Sequence, residues 1–230
     1  MVYFTTSWDD GNSLDIKLLN LMNKYGIKGT FYIPFKGRHF SLRVHEIIKI
    51  SMSQEVGAHT LSHIELPGLD DEEILQQVSE SKAKLENLTK KKVTAFCYPR
   101  GKYDENVAKI VQNAGFEYAR TTERFKFELA KNPMLNGVSC QTIMFKADLF
   151  KFLKINYFNP IKLKDFSNWY DFAVNLFEHA KKKNGIFHLW GHSWEIENLG
   201  LWRDLEKFFD YVSKQKDVKF VTNSELMHLG

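Results

Sequence analysis

His59 and His63 stand four residues apart in the run Gly57-Ala58-His59-Thr60-Leu61-Ser62-His63, and an acidic pair, Asp9-Asp10, follows a short β-like run near the start of the chain. Two imidazoles at this spacing reach one divalent ion when they share a face of a helical turn. A carboxylate is the usual third partner. Two histidines and one carboxylate, with a coordination position left for water, make a hydrolytic metal centre. Neutral imidazole nitrogens beside carboxylate oxygen suit Zn²⁺ best and tolerate Co²⁺ or Ni²⁺.

Two later clusters carry complementary chemistry: Tyr98-Pro99-Arg100-Gly101 and His188-Leu189-Trp190-Gly191-His192. A histidine with a near-neutral pKa suits protonation of a leaving amine. Positions 188, 190 and 192 share one face of a strand, so parity does not choose between the two histidines. His192 lies nearer the strand's end and is favoured as general acid, with His188 lining the site. Trp190 and Trp194 offer an apolar wall and a stacking surface for a sugar ring. His39, His45, His179 and His228 fall on helices or loops away from these clusters and read as surface or structural.

The elements that must position these residues alternate. Val2 to Trp8, Thr30 to Ile33, Glu55 to His59, Val93 to Tyr98, Tyr118 to Thr121, Ile186 to Trp190 and Val218 to Val221 read as strands. Amphipathic helices are expected over 14–25, 41–53, 70–90, 106–114, 165–183 and 201–214. Residues 123–160 are the least regular, with one strand expected around Gln141 to Phe145 and loops elsewhere. Seven or eight strands alternating with helices predict an α/β fold, a distorted (β/α)7–8 barrel, with an open doubly wound sheet as the alternative. No Gly-x-Gly-x-x-Gly turn follows the first strand, which argues against a dinucleotide fold. In a β/α barrel the loops after the strands' C-terminal ends build the active site. All four clusters fall there.

Composition narrows the rest. The chain has 230 residues, 43% hydrophobic and 14% aromatic, enough for a large core, and no internal repeat or linker divides it, so residues 1–230 are expected to form one domain. The net charge of +4 is spread along the chain, and no aromatic-basic reader motif accompanies it, so no nucleic-acid partner is expected. Cys97 and Cys140 form no disulfide framework. The N-terminus lacks a basic n-region and no segment is apolar enough to span a bilayer, so a cytoplasmic protein without a transmembrane segment is expected. Oligomeric state is not readable.

In order and content the clusters resemble the NodB-homology polysaccharide deacetylases, carbohydrate esterase family 4. Ser7-Trp8-Asp9-Asp10-Gly11 is similar to that family's Thr-Phe-Asp-Asp-Gly, His59-Thr60-Leu61-Ser62-His63 to its paired-histidine motif, and Ile186-Phe187-His188 or Trp190-Gly191-His192 to its late Leu-x-His. The closing Phe220-Val221-Thr222 also resembles the family's end. By that resemblance Asp10, His59 and His63 would hold the metal, Asp9 would be the general base, and the substrate would be an N-acetylated sugar or glycan. Cys97-Tyr98-Pro99-Arg100-Gly101 departs from the family's Arg-x-Pro-Tyr-Gly: Cys97 stands where an arginine holds the catalytic carboxylate. The Arg100 N–H would still serve the oxyanion, while Tyr98, Trp190 and His188 would line the substrate site. The missing arginine keeps two other readings open, hydrolysis of a small non-sugar amide and a glycan- or metal-binding protein without catalysis.

Overall fold

The computed structural model describes residues 1–229, and a parallel sheet runs through its centre. Strands β1 (Val2–Asp9), β2 (Thr30–Ile33), β3 (Glu55–Ala58), β4 (Ala95–Cys97), β5 (Tyr118–Arg120), β6 (Cys140–Gln141) and β7 (Ile186–Gly191) lie in the order β5-β4-β3-β2-β1-β7-β6, and β8 (Val218–Phe220) adds to β1. Between them run α1 (Asp15–Lys24), α2 (Val44–Ser51), α3 (Asp71–Thr89), α4 (Glu105–Asn113), α5 (Leu149–Ile155), α6 (Trp169–Lys182), α7 (Ser193–Asn198) and α8 (Trp202–Ser213). The helix expected over 165–183 begins only at Trp169, because Pro160–Phe166 forms a 3₁₀ turn and Asn168 caps the α-helix through the Asp171 N–H. The irregular stretch holds a two-residue strand, shorter than expected, and the unforeseen α5. That helix is seven residues long and keeps only Phe152 buried, too little to leave a periodic signal.

The sheet curls until its edges meet. Residues 133–142 serve both: on one side Ala119 N–H donates to Pro133 O and Thr121 N–H to Asn136 O, and on the other Ser139 N–H donates to His188 O and Thr142 N–H to Trp190 O. This bent segment closes the distorted barrel that the sequence predicts. At the opposite end β1 pairs with β8 through Val2–Phe4 but with β2 only through Ser7–Asp9. β8 therefore fills the gap where β1 and β2 splay. Asn223, just past β8, fixes that gap by donating to Thr5 Oγ1 at 2.8 Å and accepting from Tyr32 Oη at 2.9 Å.

Strands covered on both faces need apolar residues outside and a filled interior. The outward residues, Phe4, Phe31, Phe96, Phe187 and Leu189 among them, join the helices in the main core, where Phe4 stacks on Phe187 at 5.4 Å. Each such side chain contributes roughly 1.5–3 kcal/mol on burial. The alternate residues face inward and are polar or aromatic: Ser7, Asp9, Tyr32, Cys97, Tyr118, Arg120, His188 and Trp190 are all buried. This polar column rises through the barrel to the strands' C-terminal ends.

Candidate metal centre and catalytic cleft

Asp10 leaves β1 in a left-handed conformation, φ 76°, which turns its carboxylate toward the loop after β3. There His59 follows the strand directly, and residues 60–62 form a turn rather than the expected helical one. Thr60 and His63 both have positive φ, 61° and 56°, and this sharp reversal brings His63 back over His59 with ring centroids 4.8 Å apart. Non-glycine residues held in this region cost on the order of 1–3 kcal/mol each and persist where the surroundings over-determine them.

The three side chains converge. His63 Nε2 lies 3.2 Å and His59 Nε2 3.8 Å from Asp10 Oδ1, which is buried without a hydrogen-bond donor. His59 Nδ1 sits 2.8 Å from the Cys97 carbonyl oxygen, which can only accept, so Nδ1 carries the hydrogen and Nε2 presents its lone pair. Burial drives the His59 pKa down to about 4 and keeps the ring neutral. Burial works against charge on Asp10, yet His63, His192 and His59 around it hold its carboxyl well below the usual range. Two neutral-capable imidazoles and an ionised carboxylate, one of its oxygens orphaned, fit a divalent cation. A second trio, Asp9, His59 and Cys97, is equally close. It already holds a cation, the Arg120 guanidinium.

Arg120, at the end of β5 and fully buried, donates through Nη2 to Asp9 Oδ1 at 2.6 Å, to Asp9 Oδ2, and to Cys97 Sγ at 2.8 Å. Its guanidinium lies between Tyr32 and Trp190, 5.3 and 4.9 Å from their ring centroids. Trp190 Nε1 donates to Asp9 Oδ2 at 2.8 Å, and Trp194 Nε1 to Asp10 Oδ2 at 3.1 Å. Both tryptophans thus orient a carboxylate as well as offering a ring. Burial opposes the Asp9 charge, but Arg120 together with His59 and His192 keeps the carboxyl below its ordinary range.

His192 lies where β7 gives way to α7. Its Nδ1 faces Glu195 Oε2 at 2.9 Å and its Nε2 lies 3.8 Å from Asp10 Oδ2. Burial opposes protonation, but Glu195 and then Asp9 raise the pKa above the ordinary histidine value. Glu195 is itself fixed by Thr142 Oγ1, which donates at 3.0 Å. Gly191 permits that contact: a Cβ there would lie 2.4 Å from Thr142 Oγ1.

These residues line a cavity of about 470 Å³. Asp9, Asp10, His59, His63, Tyr98, Arg100, Trp190 and His192 all border it. His188 does not. It is buried deeper in the barrel, with Nε2 2.8 Å from Ser7 Oγ, and so is set apart from the substrate space assigned to it. Arg100 turns outward, 3.1 Å from Glu65, and does not reach Asp9. His39, expected to be surface or structural, instead borders the cavity and stacks on Trp194 at 4.0 Å. Sequence reasoning missed three residues here. Arg120 was detectable as a charge sharing parity with Tyr118 inside a buried strand, and Glu195 as a carboxylate three residues beyond His192. His39 left no comparable signal.

A family model for polysaccharide deacetylase matches residues 1–119, the segment that supplies Asp9, Asp10, His59, His63 and the Cys97 turn. The chain belongs to the polysaccharide deacetylase family. One curated relative, "Putative polysaccharide deacetylase YxkH" of Bacillus subtilis (strain 168), is 28% identical over 106 residues, 45% of this chain. The match spans 38% of that protein's length. A "putative polysaccharide deacetylase" from Mycobacterium smegmatis shares the fold with TM-score 0.72 and 16% identity, covering 99% of this chain and 89% of that one. A family 4 acetyl xylan esterase from Clostridium thermocellum, solved with a cobalt ion, gives TM-score 0.63 and 15% identity over 98% of this chain and 90% of its own.

The resemblance leads to an arginine at position 97, and the structure places a guanidinium on the neighbouring strand. Cys97 of β4 and Arg120 of β5 are register partners. The short thiol side chain at 97 leaves the volume that the Arg120 guanidinium fills, at the same height in the barrel.

Asp15, in the first turn of α1, is fully buried and accepts from Ser193 Oγ at 2.5 Å, tying that helix to the turn behind His192. Burial raises its pKa from 3.8 to about 8. The folded chain therefore keeps a proton that the unfolded chain has lost. The stability this group contributes is complete below its unfolded pKa and is lost as pH rises toward its folded one, by up to about 1.4 kcal/mol per pH unit. Asp15→Asn is expected to flatten that slope. Urea unfolding of chelator-treated protein at about pH 5 and about pH 7.5 checks it; equal slopes in both proteins would contradict the assignment.

Proposed function

We propose that this chain is a metal-dependent deacetylase that hydrolyses an N-acetyl group of an amino sugar or glycan. The observation that carries the reading is the orphaned Asp10 Oδ1 faced by His59 and His63 Nε2 in a cavity that also exposes Asp9 and His192. A divalent ion bound there polarises a carbonyl oxygen and lowers the pKa of water. Zn²⁺ matches the donor set best, and the cobalt ion in the similar acetyl xylan esterase is compatible with it.

Asp9, held by Arg120, takes the proton of the attacking water at Oδ1, which accepts from Arg120 but not from Trp190 and keeps a lone pair for the proton. The Arg100 N–H donates to the oxyanion from a turn fixed at φ 55°. His192, whose pKa Glu195 and Asp9 raise, gives its proton to the departing nitrogen. Trp194, His39 and Phe40 border the space left for the sugar. The non-catalytic alternative drew on the arginine missing at position 97, and Arg120 supplies that guanidinium.

Acetate release from a panel of N-acetylated sugars, with one small non-sugar amide added, tests the proposal on Zn²⁺-loaded protein. Release from sugars is expected, and Asp9→Asn is expected to abolish it. Release from the non-sugar amide alone, or undiminished release by Asp9→Asn, would overturn it.

A further inference from the structure

Six of the twelve exposed large hydrophobic residues among those described fall between positions 145 and 163: Phe145, Phe150, Tyr157, Phe158, Ile161 and Leu163. Single exposed apolar residues need no explanation, but a cluster on one short segment marks an interaction surface. Tyr157 is 91% exposed and Phe158 55%, and both are held at positive φ, 55° and 53°. That conformation ends α5, with Tyr157 N–H donating to Lys154 O at 3.1 Å and Phe158 N–H to Leu153 O at 2.8 Å, and it leaves two consecutive aromatic residues beyond the helix. Phe158 packs edge-on against Phe150 at 5.7 Å, so the rings form one raised group.

Lysines are interleaved with them. Lys146, Lys151, Lys154 and Lys164 are exposed and have no acidic partner. The segment's one acid, Asp148, is paired with Arg124, and Asp165 just beyond it with Lys162, each at 2.9 Å. Four uncompensated cations around protruding rings complement an anionic, partly apolar surface. Aromatic side chains seated at the acyl boundary with lysines at the headgroups are the physics of interfacial docking. No helix of the described residues is long and apolar enough to cross a membrane, so contact would be peripheral. The patch is continuous with the cleft, because Phe145 lines the cavity and carries Arg124 over its ring at 4.5 Å.

We infer that residues 145–164 dock this protein onto the surface of a bilayer bearing anionic lipids, with the cleft mouth beside the contact. The inference concerns docking and stands whether or not the cavity hydrolyses an acetamide. Co-sedimentation of the whole chain tests it, using vesicles of phosphatidylcholine alone and of phosphatidylcholine with phosphatidylglycerol in equal parts. Binding to the anionic vesicles that weakens with salt is expected, with little binding to the neutral ones. Lys151→Glu with Lys154→Glu should weaken it by more than roughly fivefold per lysine, since charge is reversed rather than removed. Tyr157→Ser with Phe158→Ser should lower it at least tenfold while the circular dichroism spectrum and melting temperature stay unchanged. Failure to bind anionic vesicles, or binding indifferent to both pairs of substitutions, would overturn the inference. So would a wild-type dimer in sedimentation that Tyr157→Ser with Phe158→Ser dissolves, which would assign the patch to a second copy of the chain.

Discussion

Arg120→Met is expected to cost about 3–5 kcal/mol of stability, because it leaves the Asp9 carboxylate buried without its cation. Asp9 is 3% exposed and Arg120 is fully buried, so water reaches only the cavity side of the carboxylate and does not replace the lost guanidinium. Trp190 would still donate to Oδ2, but one neutral donor does not offset a buried charge. The same substitution should lower acetate release on the order of a hundredfold or more, since a base displaced by about 1 Å loses that much. Two further variants separate charge from shape. Adding Asp9→Asn to Arg120→Met removes both charges and should recover most of the stability while leaving activity absent. Placing Cys97→Arg in an Arg120→Ala background returns a guanidinium to the neighbouring strand at the same register and should recover part of both. Urea unfolding and acetate release measure the set. Full activity in Arg120→Met would show that Arg120 does not position Asp9.

His59→Ala and His63→Ala are each expected to weaken Zn²⁺ binding by more than a hundredfold, because either removes one of the three donors that meet around Asp10 Oδ1. Trp194→Phe gives the contrast. It keeps an aromatic ring but loses the indole N–H that orients Asp10 at 3.1 Å, so the loss should fall within the about 10–100-fold range of residues that support metal ligands from behind. Calorimetric titration of chelator-treated protein ranks the three. Equal affinity in all would contradict the assigned ligand set. The two histidine variants should not behave alike in stability: His59 is buried at 1% exposure and bonded to the Cys97 carbonyl, so its loss also opens a void and orphans an acceptor.

How much of this was legible beforehand depends on what kind of constraint fixed each residue. Strands such as Thr30–Ile33 and helices such as α3, opened by an Asp70 cap on the Glu73 N–H, follow from local composition and capping, and the sequence predicts them within a residue or two. Asp9, Asp10, His59 and His63 were readable because each lies at or beyond the C-terminal end of a strand, where a β/α barrel places its chemistry. The turn between the histidines was not. Its positive φ values at Thr60 and His63 have no glycine to announce them. Arg120 escaped because its role rests on pairing between β4 and β5, a long-range fact that only the register reveals. His39 reaches the cavity through stacking on Trp194, more than 150 positions away in the chain, and nothing local encodes that contact. The bent segment 133–142 divides its hydrogen bonds between two strands, so neither half shows a strand-length pattern.

The central claim is that Asp10, His59 and His63 hold the ion on which deacetylation depends. Acetate release from an N-acetylated sugar, followed in chelator-treated protein before and after addition of a single equivalent of Zn²⁺, tests it most directly. The account predicts no release before addition, restored release after it, and no restoration in a His59→Ala, His63→Ala double variant. Undiminished release by the chelator-treated protein, or equal restoration in the double variant, would contradict it.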